Sequence, residues 1–325
     1  MPTSETDVLL ETNEQKMFDD YVHTLDKIYQ VESDNKDITF DLHHFQHPSK
    51  NENLPIILFI HGFGEHSGAF HEFIYRVHKN FISTTNLECD FMAYDQRSHG
   101  KKHAKADRIL SLNLGENAKD VCAVAEFIQN KNEFAGRKLF LLGNSMGGAT
   151  VLYAALKNTV RFSDLKLTGV ILENPLILAH PNQANWFLKL IVKILGYFFP
   201  TWLVPAEIDT TNITHDKKIA KRIVEDPYFQ YKCNFGTAKF IIEFNNWTYK
   251  NLNLWPESVP FCLNISSDDK IVNPVAGEKL FKINGDKHKS NILNKYQGAF
   301  HGLKSETDEF CVRFAENIQK FISGF

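Results

Sequence analysis

The pentapeptide Gly143-Asn144-Ser145-Met146-Gly147 joins a short apolar run, Lys138-Leu139-Phe140-Leu141-Leu142, to a helix-like run at 148–156. A serine with glycine two residues to either side, at a strand-to-helix turn, has the pattern of a nucleophile elbow. Glycines at those positions let neighbouring backbone approach a strained turn closely, which leaves the hydroxyl exposed. The helix that begins there turns its unpaired N–H groups toward the point where an oxyanion would develop. The chemistry this spacing allows is nucleophilic attack on a carbonyl, with a covalent intermediate on Ser145.

A serine hydroxyl is a weak nucleophile at neutral pH and needs a base within hydrogen-bond reach, held in turn by a third group. Where such an elbow sits on a mainly parallel sheet, the chain order is serine, acid, histidine, with the last two on loops after later strands. Asp268-Asp269 follows an apolar run ending at Ile265, and His301 follows one ending near Tyr296, across Gln297-Gly298-Ala299-Phe300. His301 is therefore the expected base. Either aspartate could open the turn before Lys270-Ile271-Val272-Asn273-Pro274, and Asp269 is preferred as the orienting acid. Glu173, after the apolar run 169–172, is an outside alternative whose expected role is structural, at the rim of an acyl pocket. An oxyanion hole needs two converging backbone donors, and a strand followed by His61-Gly62-Phe63-Gly64 is the usual source of the first. The N–H groups of Phe63 and Met146 are the expected pair. Asp95-Gln96-Arg97, with Ser98-His99-Gly100 after it, is expected to brace the oxyanion loop by hydrogen bonds and charge, with no catalytic part.

Apolar runs at 38–42, 55–60, 89–94, 139–142, 168–172, 259–265 and 292–296 are separated by segments of helical length. Near-continuous apolar strands alternating with helices predict an α/β chain with a mostly parallel sheet covered on both faces. Residues 179–255 break this rhythm, with aromatic-rich helical pieces and no core strand, and are read as a cap inserted into the sheet domain. The expected organisation is a polar, partly helical extension over 1–30, a core over 31–178, the cap over 179–255 and the rest of the core over 256–325. Within the cap, 186–204 approaches the length of about 20 residues that spans a bilayer. Lys189 and Lys193 would each cost about 2.5–3.5 kcal/mol at its centre, which argues against spanning. The two lysines share one helical face, so the wide apolar face either covers the catalytic pocket or dips into a lipid interface.

The 325 residues carry 36 basic and 39 acidic side chains and no long basic run, so nucleic acid is not an expected partner. The acidic N-terminus lacks the basic-then-apolar pattern of a signal peptide, which predicts a cytosolic protein. Five widely spaced cysteines without a Cys-x-x-Cys pair indicate neither disulfides nor zinc. Of the sequons at Asn212, Asn246 and Asn264, the last falls in a core strand, where a glycan could not fit. His71-Glu72-Phe73-Ile74-Tyr75 lacks the second histidine of a metalloprotease helix, and His43, His44 and His47 lack carboxylates in ligand spacing. With no phosphate-binding or dinucleotide motif either, no cofactor and no metal is expected.

Six segments together resemble the monoacylglycerol lipases, in particular their fungal branch, within the wider serine aminopeptidase S33 and hydrolase-4 group. They are His61-Gly62-Phe63-Gly64-Glu65-His66-Ser67, Tyr94-Asp95-Gln96-Arg97-Ser98-His99-Gly100, Gly143-Asn144-Ser145-Met146-Gly147-Gly148, Asn174-Pro175-Leu176-Ile177, Asp269-Lys270-Ile271-Val272-Asn273-Pro274 and His301. The likeness runs from about Phe40 to the C-terminus. It implies an α/β-hydrolase fold with an inserted helical cap, a triad of Ser145, Asp269 and His301, and an oxyanion hole at Phe63 and Met146. It also favours Asp269 over Asp268 and implies a single-chain glycerol ester as substrate. With such a substrate and an apolar cap helix, peripheral attachment to membranes or lipid droplets is expected. The chain departs from the family at Asn144, where histidine is usual, at Ser98, where glycine is usual, and at Gly302-Leu303-Lys304 after the histidine. Other readings are a lysophospholipase, a general carboxylesterase, an alcohol acyltransferase or, more remotely, a non-catalytic binding protein.

Overall fold

Leu139, Phe140, Leu141 and Leu142 are all buried because their strand runs through the middle of a sheet that is covered on both faces. In the computed structural model, residues 26–78, 87–101, 113–157, 159–183, 186–204, 209–230 and 232–325 are described. Among them are strands β1 (Asp26–Glu32), β2 (Thr39–Phe45), β3 (Ile56–Ile60), β4 (Asp90–Tyr94), β5 (Leu139–Asn144), β6 (Gly169–Glu173), β7 (Phe261–Ser266) and β8 (Ile292–Tyr296). Their order across the sheet is β1-β2-β4-β3-β5-β6-β7-β8, antiparallel at β1/β2 and β2/β4 and parallel elsewhere. The helices are α1 (His71–His78), α2 (Leu114–Asn130), α3 (Met146–Lys157), α4 (Thr159–Asp164), α5 (Trp186–Phe198), α6 (Lys217–Glu225), α7 (Phe235–Lys250), α8 (Pro274–Asn284) and α9 (Asp308–Ile322).

Successive side chains of a strand point to opposite faces, so each apolar strand feeds two cores. Leu58, Ile60, Leu139, Leu141 and Leu263 pack with α2, α3 and α8. Ile57, Phe59, Phe140, Leu142 and Ile171 pack on the other face with α1 and α9. Full burial of each such side chain contributes about 1.5–3 kcal/mol, which is why these strands dominate the pattern of the sequence.

Two expectations change. The sequence pattern extends the polar N-terminal segment to residue 30, but β1 starts at Asp26 and pairs with β2 from Asp26↔Phe45 to Glu32↔Thr39. Residues 1–25, the rest of that extension, lie outside the described residues. β1 has one buried face, carrying Tyr29 and Val31, between the exposed Lys27, Gln30 and Glu32, so it lacks the continuous apolar run of its neighbours. Strand β2, expected over 38–42, continues to Phe45 because β1 and β4 flank it.

Helices α5, α6 and α7 lie between β6 and β7. α7 rests on α3, with Tyr153 against Phe244 at 4.9 Å and Trp247 at 5.3 Å between ring centres. α5 sits close on α7, where a Cβ on Gly196 would meet the Phe235 carbonyl oxygen at 2.5 Å. Among the described residues no helix is long and apolar enough to cross a membrane.

Candidate active site

Ser145 sits between the end of β5 and the start of α3, with φ of 50°. That left-handed conformation is strained for a serine, at about 1–3 kcal/mol, and persists only where the surroundings impose it. Here the Ser145 N–H donates to the Glu173 carbonyl at 2.9 Å, and its own carbonyl accepts from Leu176 N at 2.9 Å and Ala149 N at 3.0 Å. A Cβ at Gly147 would lie 1.9 Å from the Ile60 carbonyl oxygen, so only glycine lets the helix start pass β3 this closely. Ser145 opens into a cavity of about 200 Å³ that His301 also lines.

His301 and Asp269 meet in the loops after β8 and β7. Asp269 Oδ1 accepts from Ile271 N at 2.8 Å and Val272 N at 2.9 Å, and its Oδ2 lies 2.6 Å from His301 Nδ1. The carboxylate therefore accepts a hydrogen bond from Nδ1–H and leaves Nε2 as the basic nitrogen of neutral His301. Asn174, itself at φ 41°, donates from Nδ2 to the His301 carbonyl at 2.6 Å. Asp268 is exposed and meets Ser267 instead. Glu173 is fully buried beneath the histidine loop, where it accepts from Lys304 N at 3.0 Å, and it is not among the residues that line the cavity, so the expected place at the rim is not where it lies.

Burial pushes the His301 imidazolium toward losing its proton, but the charge and hydrogen bond of Asp269 outweigh this, so its pKa lies above the ordinary 6.5. Glu173 acts in the same direction and Lys304 against it. A base must be neutral to accept a proton, and a raised pKa moves its loss to higher pH. The acid limb of kcat/KM for ester turnover is accordingly expected to have its midpoint above 6.5. A pH profile with that midpoint at or below 6.5 contradicts the assignment.

The loop 61–68 after β3 carries Phe63, which lines the cavity beside Ser145. Met146 is the first residue of α3, so its N–H has no partner within that helix. Two buried histidines hold this loop. His61 Nε2 accepts from Gln96 N at 2.9 Å and Nδ1 donates to the Gly62 carbonyl at 2.9 Å, a neutral form that burial favours. His99 Nε2 accepts from Gly64 N at 3.3 Å, and Asp95 Oδ1 from Ser67 N at 2.7 Å. Arg97 differs from expectation: it turns to Asp120 at 3.0 Å and Asp37 at 2.6 Å, bracing the β1–β2 hairpin against α2. Ser98 takes φ of 65°, the conformation for which glycine would be unstrained.

Glu65 and Lys304 are functional candidates to which sequence reasoning gave no role. Lys304 Nζ lies 2.8 Å from Glu65 Oε1 and 3.3 Å from Asn144 Oδ1, and Glu65 Oε2 accepts from Gly62 N at 2.8 Å. The pair ties the histidine loop to the oxyanion loop. Burial pushes the Glu65 carboxyl up, but Lys304 and the hydrogen bonds hold it below the ordinary carboxylate range. Burial likewise lowers Lys304, and Glu65 and Glu173 raise it further than that. Both side chains stay charged at the polar end of the cavity. The remaining wall is apolar, with Ile213, Phe229 and Ile241 supplied by the cap and Leu176 and Ile271 by the core. Helix α5 contributes none of the described lining residues. The cap also reaches the oxyanion loop, with Gln230 N donating to the Gly64 carbonyl at 2.9 Å and His66 Nε2 lying 2.7 Å from Asp226 Oδ2. No group of three or more histidine, cysteine or acidic side chains among the described residues could hold a metal ion.

Several known proteins are similar to this chain. Human monoglyceride lipase is 27% identical over 270 residues, covering 82% of each chain. A soluble variant of monoglyceride lipase from Saccharomyces cerevisiae, solved with a substrate analog, superposes with a TM-score of 0.76 at 21% identity, over 93% of this chain and 95% of that one. Monoacylglycerol lipase from Paleococcus ferrophilus superposes with a TM-score of 0.67 at 21% identity, over 91% and 99%. The architecture is thus the α/β-hydrolase fold. A family model described as serine aminopeptidase, S33, matches residues 51–308, most of the chain, and the protein belongs to that family.

Proposed function

We propose that this protein is a serine hydrolase that cleaves monoacylglycerols to fatty acid and glycerol. The observation that carries the reading is that Ser145 and His301, the latter bound to Asp269 at 2.6 Å, open into one cavity with an apolar wall and a charged polar end. Ser145 Oγ attacks the ester carbonyl while His301 Nε2 takes its proton, and Asp269 holds the tautomer and stabilises the imidazolium. The Phe63 and Met146 N–H groups receive the oxyanion, each contributing about 3 kcal/mol. His301 then returns the proton to the leaving alcohol, and water resolves the acyl-enzyme by the same steps in reverse. Ile213, Phe229, Ile241 and Leu176 suit a single acyl chain, and Glu65, Asn144 and Lys304 can exchange hydrogen bonds with a hydroxylated leaving group. The likeness to monoglyceride lipases from human and yeast supports this choice among esters.

The test is fatty acid release from mono-oleoylglycerol beside dioleoylglycerol, trioleoylglycerol, lysophosphatidylcholine and p-nitrophenyl butyrate. Turnover greatest on the monoglyceride is the expected result. Turnover on the short ester alone points to a general esterase or acyltransferase.

The protein is proposed to work at a lipid surface from the cytosolic side. Along α5 and the segment after it, Phe187, Leu188, Leu190, Ile194, Tyr197, Phe198, Phe199, Trp202 and Leu203 are all exposed. Lys189 and Lys193 stand on the same helix, the basic and apolar combination of an interfacial helix. The wild type is expected to co-sediment with phospholipid liposomes, and Phe198→Ser with Phe199→Ser is expected to reduce binding several-fold. Absent binding, or binding that both substitutions leave unchanged, contradicts the surface role.

A further inference from the structure

The loop that presents His301 is held from one side by a residue with no part in the chemistry described above. Glu306 is fully buried, and its carboxylate gathers four hydrogen bonds. Oε1 accepts from Phe300 N, next to His301, at 2.8 Å and lies 2.8 Å from His215 Nδ1. Oε2 accepts from Thr307 N at 2.9 Å and His215 N at 3.2 Å. His215 belongs to the cap, ninety-one residues earlier in the chain, and its ring stacks on that of Phe300 at 3.6 Å.

The backbone repeats the connection. Gly302 N donates to the Ile213 carbonyl at 2.8 Å, His301 N to the Asn212 carbonyl at 3.3 Å, and Thr214 Oγ1 to the Ser305 carbonyl at 2.7 Å. Cap residues 212–215, which follow directly on a 3₁₀ turn at Thr210–Asn212, thus lie along the histidine loop. Asp216 then caps α6, accepting from Lys218 N and Ile219 N, so a rigid element continues directly from the contact. A loop without regular structure is ordinarily the mobile part of a fold, and displacement of a catalytic group by about 1 Å can cost about 10²-fold in rate.

We propose that Glu306 and His215 are positioning residues: they clamp cap residues 212–215 to the loop 300–307 and so hold His301 on line between Asp269 and Ser145. This rests on the hydrolase reading of the Ser145 site and adds that the cap supports the base as well as walling the cavity. The groups facing His301 are Asp269 from the β7 loop, Glu173 from β6 and Lys304 from its own loop, so a shift of the imidazole changes its distance to all three.

His215→Phe keeps a ring to stack on Phe300 and removes the bond to Glu306 Oε1, at a side chain that is 40% exposed and tolerant of change. Its expected effects are a kcat about tenfold lower with KM within about twofold, a displaced acid limb in the kcat/KM profile, and faster deuterium exchange of the amides at 297–307. Glu306→Gln is expected to go further in the same direction. Arg222→Ala is the comparison. It removes a 2.7 Å pair with Glu72 that fastens the same cap helix to α1 and touches neither catalytic loop. It is expected to raise exchange within 209–230 alone and to leave kcat unchanged. The clamp is overturned if His215→Phe leaves kcat and exchange at 297–307 as in the wild type, or if Arg222→Ala has the same effects on both. Exchange needs no turnover, so an inactive wild type would refute the hydrolase reading while the exchange data still judge the clamp.

Discussion

Ser145→Ala is expected to lower kcat for mono-oleoylglycerol by about 10⁶, the loss seen when the nucleophile of a serine protease triad is removed. Among the described residues that line the cavity, no other carries a hydroxyl or thiol. His301 and Asp269 would remain bonded, but with no hydroxyl to deprotonate the covalent route closes, and only binding and oxyanion stabilisation persist. The change removes one oxygen from a residue whose turn is held by backbone bonds to Glu173, Leu176 and Ala149, so the thermal midpoint is expected to stay within a few degrees. Fatty acid release by the purified variant checks this. If most turnover survives, the nucleophile is another residue and the mechanism is wrong.

The largest expected effect on stability is at Lys304→Met. Lys304 is 2% exposed and Glu65 beside it is also shielded, so removing the ammonium strands a carboxylate in a poorly solvated place. Breaking a buried pair from one side typically costs about 3–5 kcal/mol, whereas replacing both partners with neutral groups is often close to neutral. Urea unfolding should show a loss of about that size for Lys304→Met, and Lys304→Met with Glu65→Gln should recover most of it. A single-variant loss below about 1 kcal/mol would mean that the pair is solvated like a surface salt bridge. Activity should recover less than stability in the double variant, because Glu65 also accepts from Gly62 N in the oxyanion loop.

Much of the arrangement was legible before any fold was in view. Strands β3 to β7 stand out because each is buried along its whole length and is mostly apolar, whereas β8, at the sheet edge, is marked only by Ile292, Leu293 and Tyr296 around Asn294 and Lys295. β1 does not stand out, because its one buried face is carried by Tyr29 and Val31 among exposed polar residues. The elbow is legible because its requirements are local, with Gly143 and Gly147 spaced two residues from Ser145. The order of serine, acid and histidine marks loops after β5, β7 and β8, which points to Asp268 or Asp269 as the acid, with Glu173 an outside alternative and the family resemblance favouring Asp269. The partner of His301 is visible only once the turn is folded, with Asp269 Oδ1 committed to two backbone N–H groups and Oδ2 turned to the imidazole.

The α/β class, the parallel core strands and the serine, acid and histidine candidates were determined by the sequence itself, since burial pattern and short-range spacing are written residue by residue. The tertiary structure alone decided which buried polar groups face one another. Lys304 meets Glu65 across 239 positions and Glu306 meets His215 across 91, and a lysine or glutamate reads as a surface residue until folding brings its hydrogen-bonding partner beside it and removes the water. Local pattern records whether a side chain prefers to be buried, but the partner that makes a buried charge tolerable is a property of the packed chain.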